Sequence, residues 1–238
     1  MSRRRVPVLA EVLVGLIITV LAIAIVTGLL QKRFADRRRR EQLMMLAMSL
    51  GMDFEIEDKS NIRNRCPHFG CLDQGHNQYA YNVISGEAAG FRITGFDYVY
   101  HTTEPTDRGT IEVGRHFSAI LFEAKMKFHP LLICPENLFD GIAGEVVFED
   151  ISFESEEFTS RFGVKSGDEK FARDLIHPKM MEFLIQNRGW HICLGSNSAM
   201  IYTGKLLSAD EFKAGMLFLL EFFDLFPEHL WQESGVGT

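Results

Sequence analysis

The distribution of hydrophobic residues separates one long apolar segment from a mixed remainder. Residues 12–30 read VLVGLIITVLAIAIVTGLL and contain no charged residue. At a rise of about 1.5 Å per residue, about 20 apolar residues cross the ~30 Å hydrocarbon core of a bilayer. Only a helix lets a single segment cross lipid with every backbone polar group satisfied internally. The segment from Val12 to Leu30 therefore predicts one transmembrane helix that binds the lipid bilayer.

Helical periodicity continues beyond this apolar segment. Leu43, Leu46 and Leu50 recur at helical spacing, and Gly51 is a natural helix stop. We expect a basic juxtamembrane helix over residues 32–51 whose leucines dock on the folded domain. The basic residues from Arg37 to Arg40 are expected to lie near anionic lipid headgroups. A dimeric coiled coil needs several heptads, and this segment is too short for them.

Short segments of alternating hydrophobicity follow an irregular stretch over residues 52–79. Alternation with a period of two is typical of β-strands, and Gly, Pro and polar residues between the segments indicate turns. The segment 101–108 contains Pro105 and is predicted as a polar loop. The pattern predicts a mainly antiparallel sheet. Its expected strands are residues 79–84, 91–100, 111–113, 116–124, 131–134 and 145–153.

Two helices are predicted after residue 166, where the hydrophobic period changes. Ser166 and Glu169 have the spacing of a capping box, and Pro178 is expected to end or kink the helix that they begin. Ser208 and Glu211 form a second such pair at the start of a helix over residues 209–226. That helix is apolar on most of its circumference, so we expect it to pack on the sheet and close the core.

Between the two helices, residues 190–194 and 199–203 flank Gly-Ser-Asn-Ser, which predicts a β-hairpin. The fold class is therefore α+β: one N-terminal transmembrane helix, then a mainly antiparallel sheet domain with two C-terminal helices separated by a β-hairpin. The expected division is a tail and transmembrane helix over 1–31, a basic helix over 32–51 and a soluble domain over 52–238.

Charge differs sharply between the two ends of the chain. Residues 1–41 carry nine Lys/Arg and three Asp/Glu, whereas residues 42–238 carry sixteen and twenty-nine. An acidic domain is repelled by nucleic-acid phosphates, so binding to nucleic acid is disfavoured. Six basic residues follow the apolar segment and three precede it, which favours a single-pass inner-membrane protein with a cytoplasmic C-terminal domain. The opening Ser-Arg-Arg-Arg loosely matches a twin-Arg or signal-anchor start, which favours the opposite orientation.

Candidate metal ligands are few. Cys66 and Cys71, with His76 after them, place thiols and an imidazole in one loop. Structural zinc sites use closer cysteine pairs and a second pair elsewhere, so we expect neither a metal nor another cofactor. Whether Cys66 and Cys71 form a disulfide, bind metal or stay free remains open. An acidic run lacks the glycine-containing loop of a calcium site and is interpreted as an edge strand in solvent: Glu145, Glu149, Asp150, Glu154, Glu156 and Glu157.

Catalytic signatures are absent, and catalytic residues stay unknown. Neither a nucleophile elbow nor a phosphate-binding glycine loop occurs. Cys134 and Cys193 could each meet a histidine in space, but Cys193 lies in a predicted strand, as a buried small hydrophobe. His116, His177 and His191 are interpreted as edge or cap residues. Three aromatic residues on one strand face are more often core than a ligand groove: Phe96, Tyr98 and Tyr100.

Several short motifs carry a family resemblance. They are Asn82 to Gly86, Phe96 to Tyr100, Asp150 to Glu154 with Phe158, Asp168-Glu169, His177-Pro178 and Trp190. This pattern resembles a family of uncharacterised, membrane-anchored bacterial proteins whose soluble part is a domain of unknown function. The resemblance starts at Asn82, covers about two thirds of the chain and implies no reaction.

The functional hypothesis is a membrane-tethered accessory or interaction domain of the bacterial cell envelope, with a membrane protein as its partner. No reaction is identifiable, and we favour a non-enzymatic role. One alternative is an envelope enzyme whose site is assembled from distant residues. The other is a ligand-sensing module that uses the sheet face.

Overall fold

The computed structural model describes residues 5–107, 109–135 and 149–233. Its fold is α+β, as predicted, with a long N-terminal helix, an antiparallel sheet and C-terminal helices. A 3-10 turn at Gly70–Leu72 precedes β2. In chain order the elements are α1 (Arg5–Leu50), β1 (Asp53–Glu57), α2 (Ile62–Arg65), β2 (His76–Ala88), β3 (Phe91–Thr106), β4 (Gly109–Pro135), β5 (Glu149–Asp150), α3 (Glu156–Thr159), β6 (Phe162–Ser166), α4 (Glu169–Leu175), α5 (Pro178–Gln186), β7 (His191–Tyr202), α6 (Ala209–Asp224) and α7 (Glu228–Glu233).

Helix α1 contains a segment suited to a bilayer. Within Gly15–Leu50 an 18-residue window has a mean hydropathy of 2.0 and is not buried at all. By length and composition, this helix is long and apolar enough to cross a membrane. The chain divides into two compact units, Met1–Gln42 and Leu43–Thr238. The three-part division of the sequence stays a prediction.

The end of α1 belongs to the second unit. Leu43 and Leu46 are buried in its core, and Leu50 packs against the same cluster. The predicted docking of these leucines is thus confirmed.

Within the described residues, seven strands form one sheet in the order β1-β2-β3-β4-β6-β5, and β7 also pairs with β4. The segment predicted as a loop after residue 100 instead extends β3, which pairs with β4 as far as Thr106 and Gly109. The three strands predicted between residues 111 and 134 are one strand, β4. Alternation continues through its polar middle, where Met126 and Phe128 are buried and Lys127 is exposed. Strand β1, unassigned from sequence, pairs with β2.

The predicted hairpin over residues 190–203 is wrong. Those residues form the single strand β7, which pairs with β4 from Ile192 to Tyr202. Ser196 has a φ of 53°, and the register shifts in this region, so the backbone forms a bulge and not a turn. A Cβ on Gly195 would lie 2.9 Å from Cδ2 of His68. The glycine therefore makes room for the His68 ring.

One sheet face is covered by helices, and we call it the helix face. Phe212, Leu219 and Phe222 of α6 are fully buried in its core. A Cβ on Gly215 would lie 2.5 Å from Cδ1 of Ile120, so α6 approaches the sheet closely at this residue. The prediction that this helix packs on the sheet is confirmed.

The opposite face, the loop face, is covered by residues 58–75. Ile62, Cys66 and Leu72 from this segment are buried against Phe96 and Tyr98 of β3. This arrangement explains why residues 58–75 show no regular hydrophobic period: their apolar side chains come from a turn-rich cover that forms only short helical turns.

Helix termini follow the sequence with one correction. Ser208 and Glu211 form the predicted capping box. Ser166 does not cap α4, because it lies in β6 and its hydroxyl donates to the Pro130 carbonyl at 2.8 Å. The cap is Asp168, whose carboxylate accepts from the Phe171 amide at 3.0 Å. Pro178 begins a separate helix, α5, and so divides the predicted helix into two.

Candidate functional site

Strands β3 and β4 extend past the loop-face core and border a cavity of about 490 Å³, here called the Tyr100 cavity. Its apolar lining includes Tyr100, Phe117 and Tyr202. Phe96 and Tyr98 lie earlier on the same face of β3 and are fully buried. The core interpretation is therefore right for Phe96 and Tyr98, whereas Tyr100 lines a cavity within the ~300–1,000 Å³ range of ligand pockets.

The 3-10 turn forms one wall of the Tyr100 cavity. The Tyr98 hydroxyl donates to the Leu72 carbonyl at 2.6 Å, which fixes the turn next to β3. Cys71 and Gln74 line the cavity from this side. Across it, Arg115 forms an ion pair with Glu104 on the neighbouring strand. Burial raises the pKa of Tyr202, so its phenol stays protonated at neutral pH and can donate a hydrogen bond.

The cysteine side chains lie in the loop-face core. All four cysteines are free and buried. A hydrogen bond with Cys71, together with burial, raises the pKa of the Cys193 thiol. Burial also raises the pKa of Cys66 to about 11, so this thiol stays protonated at neutral pH. Cys193 is thus a buried strand residue, as predicted, and a disulfide between Cys66 and Cys71 is not formed.

An enzymatic Cys–His pair would hold thiol and imidazole in hydrogen-bond contact. Cys71 and His116 both line the Tyr100 cavity. Cys71, however, shares a hydrogen bond with Cys193, and His116 Nδ1 lies 3.1 Å from the Tyr81 hydroxyl. The lining of the cavity thus offers aromatic rings, a protonated phenol and the Glu104–Arg115 ion pair.

The candidate metal ligands lie apart. Cys66 and Cys71 are in the loop-face core, whereas His76 Nε2 lies 3.1 Å from Glu112 Oε1 at the surface. Within residues 5–107, 109–135 and 149–233, no group of three or more His, Cys, Asp or Glu residues is placed to hold a metal ion. The predicted absence of a bound metal stays a prediction.

The three histidines named from sequence differ in their surroundings. His177 caps α5, where its Nδ1 accepts from the Met180 amide at 3.4 Å, as predicted. His116 is an exposed strand residue, also as predicted. His191 is buried and stacks on Tyr202 at 4.6 Å between ring centroids, so its interpretation as an edge or cap residue is wrong. Both faces of β7 are covered at this end, since His191 to Gly195 are all buried, and burial lowers the pKa of His191.

A buried polar network was missed from sequence. Asp97 is fully buried and accepts from Asn82 Nδ2 at 2.9 Å and from the Ser118 hydroxyl at 2.6 Å. Ser118 Oγ in turn accepts from the Leu207 amide at 2.9 Å. Buried polar groups are costly unless bonded in this way. The network joins the strands to the segment before α6, so two motifs of the family resemblance meet in a structural role.

A second concave region, the α5 groove, has a volume of about 770 Å³. Its floor is apolar and includes Phe153, Ile176 and Met181. Three acidic side chains line the groove: Glu154, Glu157 and Glu182.

The acidic run that was interpreted as one edge strand is divided in the structure. Only Glu149 and Asp150 form the edge strand β5, Glu156 and Glu157 begin α3, and Glu145 lies outside the described residues.

Comparisons with known proteins bear on the fold. No protein-family model matches the chain, and no curated protein matches it. The solved structure of the mycobacterial trehalose monomycolate transport factor A, TtfA, matches with a TM-score of 0.61 and 16% identity. The match covers 80% of this chain and 97% of that chain. At this identity the likeness shows a shared fold, and it supports the family resemblance at that level.

Proposed function

We propose that the chain is a membrane-tethered accessory protein of the bacterial cell envelope, which assists the transport of an envelope lipid by binding. The observation that carries this proposal is the fold shared with TtfA, a transport factor, over 97% of that chain. In this chain the shared fold follows a helix long and apolar enough to anchor it.

Orientation and lipid contacts extend the proposal. Six basic residues follow the apolar segment, which favours a cytoplasmic position for the folded domain. Arg37, Arg38 and Arg40 are exposed on α1. Each basic residue near an anionic leaflet contributes about 1 kcal/mol of attraction. We therefore expect the cluster from Arg37 to Arg40 to bind anionic headgroups.

Deleting the gene in its own organism tests the proposed role. Mass spectrometry of extracted envelope lipids should show that one lipid class accumulates in the inner membrane. The full chain should restore its export, whereas a chain without residues 1–31 should not. Unchanged lipids in the deletion strain would reject the role.

Alkaline phosphatase fused to Thr238 tests the orientation. The fusion should be inactive, and activity would place the domain on the other side of the membrane.

The Tyr100 cavity favours a second candidate function, ligand sensing. Tyr100 is partly exposed, next to the rim pair of Glu104 and Arg115. A small polar ligand that stacks on the ring should raise the melting temperature of the full chain, and Tyr100→Ala should abolish that rise. If a ligand screen produces no rise that depends on Tyr100, sensing through this cavity is rejected.

A further inference from the structure

The α5 groove exposes one side of a helix whose other side is packed. Met180 and Leu184 of α5 are buried in the helix-face core. Met181 and Ile185 lie at helical spacing on the neighbouring side, are partly exposed and line the groove. Helical side chains three and four residues apart cover one continuous strip of surface. The groove floor is thus a continuous apolar strip, which Phe153 and Ile176 widen.

Acidic side chains border this floor. Glu154, Glu157 and Glu182 line the groove, together with Arg173. The Arg173 guanidinium already pairs with Glu169 at 2.8 Å and lies 5.7 Å from the centre of the Phe153 ring. Glu169 therefore compensates the charge of Arg173, and Arg161, whose Nη2 lies 3.0 Å from Glu157 Oε1, compensates that of Glu157. Glu154 and Glu182 keep the lining negative. The unit that carries the groove is acidic as a whole, since residues 42–238 hold sixteen Lys/Arg and twenty-nine Asp/Glu.

We propose that the α5 groove docks a short amphipathic helix, rich in Lys and Arg, from a cytoplasmic loop of an integral membrane protein. This inference rests on the proposed function, which places the domain at the cytoplasmic face of a membrane. Cytoplasmic loops of membrane proteins carry an excess of Lys and Arg. An apolar helix face fits the groove floor, and flanking basic side chains complement its glutamates.

The tether also favours this occupant. A domain held at the membrane by α1 meets loops of membrane proteins at a high effective concentration, so weak docking suffices. A groove with one apolar strip and three acidic side chains matches weak, charge-steered binding. A neutral segment would gain only the apolar contact, and an acidic segment would in addition be repelled by Glu154 and Glu182.

A defined peptide probe tests the groove. The full chain is placed in nanodiscs of zwitterionic lipid, and a fluorescent peptide of about 14 residues carries Leu at i, i+3, i+4 and i+7 with Lys elsewhere. Fluorescence anisotropy at about 0.15 M salt reports its affinity, because at this ionic strength distant charges are screened. The triple variant Glu154→Lys, Glu157→Lys and Glu182→Lys reverses the charge of the groove lining and should weaken peptide binding about tenfold or more. The matched control reverses three exposed glutamates elsewhere: Glu57, Glu87 and Glu221.

The control variant should bind within about twofold of the native chain, well under the tenfold that about 1.4 kcal/mol produces. Met181→Glu should also weaken binding about tenfold, because it places a charge in the apolar strip. A version of the peptide with Glu in place of Lys should not bind. Equal weakening in the control variant, or no weakening by Met181→Glu, would overturn the proposal. The basic segment from Arg37 to Arg40 of a second copy could compete with the peptide for the groove. If changing these residues to Gln made the peptide bind more tightly, the groove would be assigned to a second copy, and the proposal would be overturned.

The peptide result and the lipid-transport result separate the two proposals. If the peptide binds as expected but deletion of the gene leaves envelope lipids unchanged, the groove assignment stands and the proposed function fails. If deletion blocks export while the variant with three lysines binds the peptide normally, the proposed function stands and the groove assignment fails. The thermal melt of each variant serves as the folding check, since the altered glutamates lie at the surface.

Discussion

Residues 12–30 of α1 and most of the circumference of α6 are apolar, yet the surroundings of the two helices differ completely. Leu16 and Ile25 of α1 are 62% and 63% exposed, whereas Leu219 and Phe222 of α6 are not exposed at all. Apolar surface in water is unfavourable by about 25 cal/mol per Å². Helix α6 removes its surface from water by packing on the sheet. The apolar window of α1 is not buried, and it is long and apolar enough to leave water by entering a bilayer instead.

Length and the pattern of charges separate the two cases. The 16-residue α6 is too short to cross a bilayer, and Lys213, Glu221 and Asp224 mark a polar side along it. Residues 12–30 carry no charge on any side. An apolar helix with a charged side indicates packing against protein, and one that is apolar on every side is either buried in a large core or spans a membrane. The apolar window of α1 is not buried, which favours the membrane.

Charges placed in the apolar part of α1 should have the largest effect. Leu21→Arg together with Ile25→Arg adds two charges, each of which costs about 2.5–3.5 kcal/mol at the centre of a membrane helix. The variant should therefore move from the membrane fraction to the soluble or degraded fraction, as measured by carbonate extraction and blotting. Met48→Arg is the control, because Met48 is 72% exposed on the same helix beyond the apolar segment. Complete retention of the variant with two arginines would show that α1 is not the anchor.

Truncation of a buried α6 side chain should have the second-largest effect. Phe222→Ala is expected to cost about 3–5 kcal/mol, a large share of the 5–15 kcal/mol of a typical domain. The chain has two tryptophans, Trp190 and Trp231, and their rings lie 6.0 Å from those of Phe218 and Phe223 on α6. Their fluorescence therefore reports unfolding around α6 in a denaturant titration. Lys213→Ala should leave the curve unchanged, and an unchanged curve for Phe222→Ala would mean that α6 is not core.

The sequence predicted helix α6 and the interruption at Pro178 because their signals are local. The capping box of α6 and the proline that starts α5 act within a few residues, so they can be recognised without the fold. The hairpin prediction failed because Gly195 is explained by the His68 ring, which is 127 positions earlier in the chain. The α5 groove likewise joins Phe153 to Ile185 through the fold, and no periodicity in a single segment indicates that contact.

The Glu211 carboxylate should have a smaller, pH-dependent effect. A hydrogen bond from Lys205, followed by one from the Ser208 amide, lowers its pKa from 4.5 to about 2. Since the folded-state pKa is depressed, the stabilisation is present above pH 4.5 and is lost as the pH falls towards 2. Glu211→Gln should thus destabilise the chain at pH 7 but match the native chain near pH 2, as measured by denaturant titration at each pH.

Ser208→Ala is the matched control for the Glu211 experiment. The Ser208 hydroxyl accepts from the Glu211 amide at 3.2 Å, a bond that does not depend on the charge of the carboxylate. Loss of such a cap costs about 1 kcal/mol. The Ser208 hydroxyl also bonds to the Glu211 carboxylate and helps to lower its pKa, so only the part of the loss that comes from the amide bond should persist at both pH values. A Glu211→Gln effect that also persists near pH 2 would contradict the role of the charged carboxylate.

The smallest effect should come from Leu217, which lies two residues before Leu219 on the opposite side of α6. Leu217 is 50% exposed, so Leu217→Ser removes little buried apolar surface. Substitutions at such surface positions stay within about 0.5 kcal/mol. The denaturant curve of the full chain should therefore match that of the native chain, while Leu219→Ala lowers the unfolding free energy by about 2–5 kcal/mol. If Leu217→Ser destabilised the chain as much as Leu219→Ala does, α6 would be covered on both sides. Its charged side would then no longer explain why it packs as a core helix and α1 does not.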